Sequence, residues 1–152
     1  MADRPMKRAS ESFTTQVQVL TQANMNGFFR LFGGQMMSWM DIVAAVTARR
    51  HSGRNVTTAS VYDLSFRAAA HANDTLVLTG EVVYVGRSSM QIRVCAYVEA
   101  LSGKLEQINE AYFVMVALDE YEKPTEVPGL IIESAEQQAM WDAAEARKKL
   151  NG

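Results

Sequence analysis

Apolar and polar positions alternate from Thr14 to Thr21 (TTQVQVLT), with Thr15, Val17 and Val19 on one side, which predicts a strand. A polar, glycine-bearing segment, QANMNGFFRLFGG, follows it. Gln35 to Arg50 (QMMSWMDIVAAVTARR) then runs without proline or glycine and predicts a helix, whose Arg49 and Arg50 suit its negative C-terminal end. Beyond His51-Ser52-Gly53-Arg54 the period becomes two. One parity carries Val56, Thr58, Ser60, Tyr62, Leu64 and Phe66. The next strands carry Leu76, Leu78, Gly80, Val82 and Tyr84, then Met90, Ile92, Val94, Ala96 and Val98. Ile108, Tyr112, Val114, Val116 and Leu118 close the set.

The connections His71-Ala72-Asn73-Asp74, Gly86-Arg87 and Leu101-Ser102-Gly103-Lys104 are short, so successive strands are expected to pair as antiparallel hairpins in the order β-α-β-β-β-β. Ten or more residues at ~3.3 Å each make ribbons longer than ~30 Å. Such ribbons must curl around something, and one long helix lies within the unit. It carries Met36, Trp39, Met40, Ile42, Val43 and Val46, apolar all round, the mark of a buried helix. The expected class is α+β, a long curved antiparallel sheet wrapped around a central helix, which is the hot-dog architecture. Glu133 to Leu150 predicts a largely polar, peripheral C-terminal helix. The expected division is a tail at 1–13, the hot-dog domain at 14–119 and a C-terminal extension at 120–152.

A length of 152 residues is one domain, and 48% hydrophobic with 21% charged residues excludes wholesale disorder. The three prolines, Pro5, Pro124 and Pro128, sit near the ends. A net charge of -2 argues against nucleic-acid or electrostatic membrane binding. No apolar run approaches the ~18–20 residues of a bilayer span. The N-terminus lacks the apolar stretch of a secretory signal, and the lone Cys95 excludes an internal disulfide or a CxxC metal site. A cytoplasmic location without metal, nucleic acid or membrane is expected.

Asp41 is the one ionisable residue between Gln35 and Thr47. A lone carboxylate in an apolar helix must be hydrogen-bonded, paired or protonated, so a structural acid and a catalytic one are both open. Gly33-Gly34 ahead of the helix places free N–H groups at its positive end, where they can hold a carbonyl oxygen as it becomes an oxyanion. An acid two turns along could then activate water. A tight strand-to-helix turn is the plain alternative for the glycine pair.

RLFGGQMMSWMD, followed by IVAAVTARRHSGRNVTTASV and DTLVLTGEVVYVGRSSMQIRV, resembles the hot-dog acyl-CoA thioesterases, specifically their acyl-CoA hydrolase branch. The resemblance runs from about Thr14 to Leu118. It implies hydrolysis of acyl-CoA to a free acid and CoA, with CoA as part of the substrate and no cofactor. In the family the helix acid is general base or nucleophile, which falls on Asp41. The second glycine's N–H polarises the carbonyl, which falls on Gly34 beside Gly33. A partner-subunit asparagine, in a pattern N-x-x-G-x-L-F-G-G, completes the site.

This chain departs from that pattern. Counting back from LFGG selects Asn26 and puts Phe29 in the glycine slot; counting N-x-x-G forward selects Asn24 with Gly27. The spacing to the glycine pair favours Asn26, and Asn24 stays open. Thr58 matches a family hydroxyl that helps place the water. For the CoA phosphates the resemblance points to Arg87, Ser88 and Ser89 in the turn between long strands, and to Arg54 beyond the helix. It also implies a homodimer with shared sites, and a hexamer as a trimer of dimers. A hot-dog hydratase is a competing reading, but His51 and His71 sit at neither the glycine turn nor the helix centre. A non-catalytic acyl-CoA sensor is another.

Overall fold

The structure, a computed structural model, describes residues 4–151. In chain order its elements are β1 (Met6–Arg8), β2 (Thr14–Val19), α1 (Gly33–Ser52), β3 (Asn55–Phe66), β4 (Thr75–Val85), β5 (Ser89–Glu99), β6 (Leu105–Leu118), β7 (Gly129–Ile131) and α2 (Ala135–Asn151). Strands β2 to β6 form one antiparallel sheet in the order β2-β4-β5-β6-β3, and α1 touches every one of them. This is the α+β hot-dog arrangement, a sheet curved around one helix.

Two of the three expected hairpins form, β4–β5 and β5–β6. The third does not. Strand β3 pairs with β6, in a register that sets Thr58 opposite Met115 and Phe66 opposite Asn109. The β4 edge is already taken by β2, with Thr14 opposite Gly80, so β3 is displaced to the far side of the sheet. The linking segment 67–74 crosses between edges and is pinned on the way: Arg67 N–H donates to Ile108 O and Asn73 N–H to Leu20 O, each at 2.8 Å. The single parity expected of β3 is also broken, by register shifts between Thr58 and Ser60 and between Tyr62 and Ser65.

Helix α1 starts earlier than expected, so Gly33 and Gly34 form its first turn rather than precede it. It ends where Gly53 takes φ 68 and returns its N–H to Arg49 O at 2.8 Å, a left-handed cap that suits glycine. Its buried positions, Met36, Met40, Val43, Ala44, Thr47, Ala48 and His51, form one face. That face lies so close to β4 that a Cβ on Gly80 would strike the side chains of Thr47 and Val43. The opposite side is not buried as expected, because one sheet covers one side of a helix; Ile42 remains 50% exposed.

Inner residues of β6 are Ala111, Phe113, Met115 and Ala117, with Asn109 among them, and not the Tyr112, Val114 and Val116 series. Those face outward, where α2 covers part of the sheet. A shift between Val82 and Tyr84 likewise moves Tyr84 out of the core, to lie 4.4 Å from the Trp141 ring. Gln91 Nε2 donates to Ala144 O at 2.8 Å, and the Arg147 guanidinium stacks 3.5 Å over Tyr112.

The chain ends are joined. Within the segment expected as a tail, β1 pairs in parallel with β7 of the C-terminal extension. Beside this clasp His51 Nε2 lies 2.8 Å from Pro128 O. Residues 1–3 of the expected tail and 152 of the expected extension lie outside the described residues. Among the described residues no helix is long and apolar enough to cross a membrane, and no group of three potential ligands could hold a metal.

Candidate functional site

Asp41 sits on the less covered side of α1, half-buried, and Thr58 Oγ1 donates to its Oδ1 at 2.6 Å. The register of β3 makes this contact. Because Thr58 pairs with Met115, an inner residue of β6, its hydroxyl turns towards the helix and also lies 3.4 Å from Met115 Sδ. A carboxylate accepts hydrogen bonds on both oxygens, so with Oδ1 held by Thr58, Oδ2 is the oxygen placed to take a proton.

Phe32 is the N-cap of α1, and its carbonyl accepts from Gln35 and Met36 at 3.0 and 3.1 Å. The N–H groups of Gly33 and Gly34 precede these and have no intrahelical acceptor, so they are the donors a helix start offers an oxyanion. A Cβ on Gly34 would meet the exposed Phe32 ring, which would have to shift. Seven residues separate Gly34 from Asp41, about 10 Å along a helix axis. A carbonyl held by Gly34 therefore stands well apart from Asp41 of the same chain.

Asn26 and Asn24 differ in what their side chains do. The Asn26 Oδ1 accepts from the N–H groups of Phe28 at 2.9 Å and Arg30 at 3.3 Å, which turns its amide NH2 outward from an exposed hairpin. The Asn24 Oδ1 instead accepts from Thr21 N–H at 2.9 Å and Thr21 Oγ1 at 3.1 Å, as a cap on the preceding turn. At the tip of the Asn26 hairpin Phe29 adopts φ 60, the left-handed region where glycine is at ease.

Asn26 and Gly33 border a cavity of about 360 Å³, walled by Leu31, Met36, Phe66 and Ile108. Asp41 and Thr58 are not among its walls. Sequence reasoning missed this cavity's Arg30, Arg67 and Asn109. Asn109 follows Ile108 directly and could have been found by noticing that the parity of Phe113 and Met115 passes through it.

The residues expected near phosphate lie elsewhere. Arg54 borders a concavity of about 460 Å³ with Arg49, but also with Asp119 and Glu120. Arg87 is exposed in the β4–β5 turn, with its carbonyl bound by Val127 N–H at 2.9 Å; Ser88 O accepts from Ala117 N–H at 2.9 Å, and Ser89 opens β5 opposite Val116. Because Arg54 adjoins Leu118, the turn and Arg54 border the same end of β6.

Residues 30–101 match the model of the thioesterase superfamily. An uncharacterized acyl-CoA thioester hydrolase of Bacillus subtilis is 32% identical over 138 residues, which is 90% of this chain and 80% of that protein. The acyl-CoA hydrolase of Staphylococcus aureus, solved with butyryl-CoA, CoA and CoA disulfide, superposes with a TM-score of 0.91 at 32% identity, covering 97% of this chain and 90% of that one. A hexameric acyl-CoA thioesterase gives a TM-score of 0.91 at 32% identity, over 95% and 94%. The Staphylococcus aureus enzyme has also been solved with alanine in place of an asparagine, of an aspartate and of a threonine. These lie 15 and then 17 residues apart, the spacing of Asn26, Asp41 and Thr58 here. Agreement of fold and sequence over nearly the whole chain makes it a member of the thioesterase superfamily, in the acyl-CoA thioester hydrolase branch.

Proposed function

We propose that the protein hydrolyses acyl-CoA thioesters to a free acid and CoA, at sites shared between two protomers. The observation that carries this reading is the Thr58–Asp41 hydrogen bond of 2.6 Å on the uncovered side of α1. It holds a carboxylate in a fixed orientation where substrate can reach it. Oδ2 takes a proton from water, the water oxygen attacks the thioester carbon, and the N–H of Gly34 stabilises the oxyanion. Collapse of that intermediate expels the CoA thiolate, which regains a proton.

The ~10 Å between Gly34 and Asp41 supports drawing the two from different protomers. Strand β3 is the edge that would join them. It carries Val61, Leu64 and Phe66 at 37%, 38% and 54% exposure, and an open strand edge with apolar side chains invites pairing. A two-fold axis beside β3 would cover the bare side of α1 and carry the outward amide of Asn26 to the partner's acid. The spacing shared with the Staphylococcus aureus variants supports Asn26 over Asn24 for that role. Three such pairs would form a hexamer, the assembly of the related hexameric acyl-CoA thioesterase. Arg87, Ser88, Ser89 and Arg54 are placed on the CoA phosphates, and no cofactor enters the reaction, which is assigned to the cytoplasm.

Neither histidine serves a hydratase: His51 is buried against Pro128 O, and His71 lies 3.8 Å from Asp74 in the crossover. Release of free thiol from butyryl-CoA, followed with a thiol reagent, tests the proposal. Hydrolysis is expected; tight CoA binding without thiol release would leave a sensor and overturn it.

A further inference from the structure

The cavity beside Asn26 and Gly33 has a chemistry that the hydrolytic step does not use. Its apolar walls are Leu31, Met36, Phe66, Ala70 and Ile108. Among these lies Asn109, 1% exposed, whose Nδ2 is buried with no hydrogen-bond partner. Buried amides are normally satisfied, and an unpaired one calls for an explanation. Two arginines, Arg30 and Arg67, complete the wall, and no carboxylate is part of it. Glu110 is shared between Arg93 and Arg67. It accepts from Arg93 at 2.7 and 3.1 Å and stands 3.6 Å from Arg67 on its other oxygen.

Apolar walls, an unpaired amide, two guanidinium groups and the N-terminal end of α1 together fit a short apolar stem that ends in negative oxygen. A thioester carbonyl at Gly34 would stand at the mouth of this cavity. The nucleotide end of CoA is too large for about 360 Å³, whereas a short acyl group fits that volume. We infer that this cavity is the acyl pocket and that it selects short acyl groups ending in a carboxylate, held by the Asn109 amide with Arg30 and Arg67. The inference rests on the thioesterase reading and adds the class of acyl group to it.

Succinyl-CoA and butyryl-CoA have acyl chains of equal length and differ by the terminal carboxylate, so their kcat/KM ratio isolates the effect. For the wild-type oligomer the ratio is expected to favour succinyl-CoA by tenfold or more. Asn109→Leu, close in shape but without the amide, and Arg30→Gln, on an exposed side chain, should each lower the ratio at least tenfold, mainly through KM for succinyl-CoA. Arg30→Gln keeps the test decisive if Asn109→Leu folds poorly. Hydrolysis of butyryl-CoA with a ratio of one or less, or a ratio that survives both substitutions, overturns the acyl selectivity and leaves the thioesterase reading intact. Hydrolysis of neither thioester overturns both.

Discussion

The Thr58 hydroxyl holds Asp41 by a 2.6 Å hydrogen bond that joins the middle of α1 to the outermost strand of the sheet. The acid is thus oriented by the same strand whose free edge is the proposed dimer seam, so assembly and acid geometry share one element.

Asp41→Asn keeps an oxygen acceptor for Thr58 but cannot take a proton. Thiol release should fall by a factor on the order of 10²–10⁴, the usual worth of a general base. The side chain is half-buried, so the unfolding temperature should move little. Near wild-type turnover in a correctly assembled variant removes Asp41 from the chemistry.

Asn26→Ala should damage turnover more than Asn24→Ala, because Asn24 spends its oxygen on Thr21 while Asn26 turns its amide outward. Mixing inactive Asp41→Asn with inactive Asn26→Ala under conditions of subunit exchange should restore activity, since some mixed pairs hold one intact site. Exchange without recovery, or an active monomer by light scattering, contradicts shared sites.

Phe29→Gly should stabilise the protein. The ring is 75% exposed and has little packing to lose, while φ 60 costs a residue with a side chain about 1 kcal/mol. A rise of ~2–4 °C in melting temperature is expected for a chain of this size. A fall would mean that the ring makes contacts in the assembly.

His51 should make stability depend on pH. Burial pushes its imidazole below the ordinary value; the Pro128 carbonyl and Glu11 work the other way, and Lys7 and Arg4 add to the lowering. The unfolded chain, with a pKa near ~6.5, therefore binds the proton first as pH falls. The stabilisation is complete above that value and is lost as pH drops from it towards the folded pKa. Melting temperature should decline as acid is added from neutrality. His51→Gln, which keeps a donor for Pro128 O, should flatten that decline; an unchanged slope assigns it to other groups.

Helix α1 and the long strands were legible because a break-free apolar run and a sustained period of two are local signals. The partner of β3 was not. It depends on which edge β2 has already filled, a fact about the assembled sheet. In β6 both faces carry apolar residues, and the Tyr112–Val114–Val116 series that drew attention lies on the outward face. The inner series, Asn109 included, has the same period of two and no stronger local signal. Asp41 stood out because it is the one ionisable residue between Gln35 and Thr47. The spacing of Asn24 and Asn26 does not carry their hydrogen bonds, which set the Asn24 oxygen on Thr21 and the Asn26 oxygen on Phe28 and Arg30.

The β1–β7 clasp has a consequence for the order of folding. Arg4 reaches Val127 across 123 positions, and Met6 pairs with Gly129 beside it. Contacts this distant in sequence pay their loop-closure entropy before they return any stability. The three paired residues of each strand return little once formed. The clasp should therefore close last and open first, at a free energy well below that of global unfolding. Each opening unseats Pro128 from His51 and uncovers the end of α1. Backbone amides of 129–131 should then exchange with solvent hydrogen sooner than those of β4 and β5, and a protease should find the junction at 120–128 while the sheet is still intact.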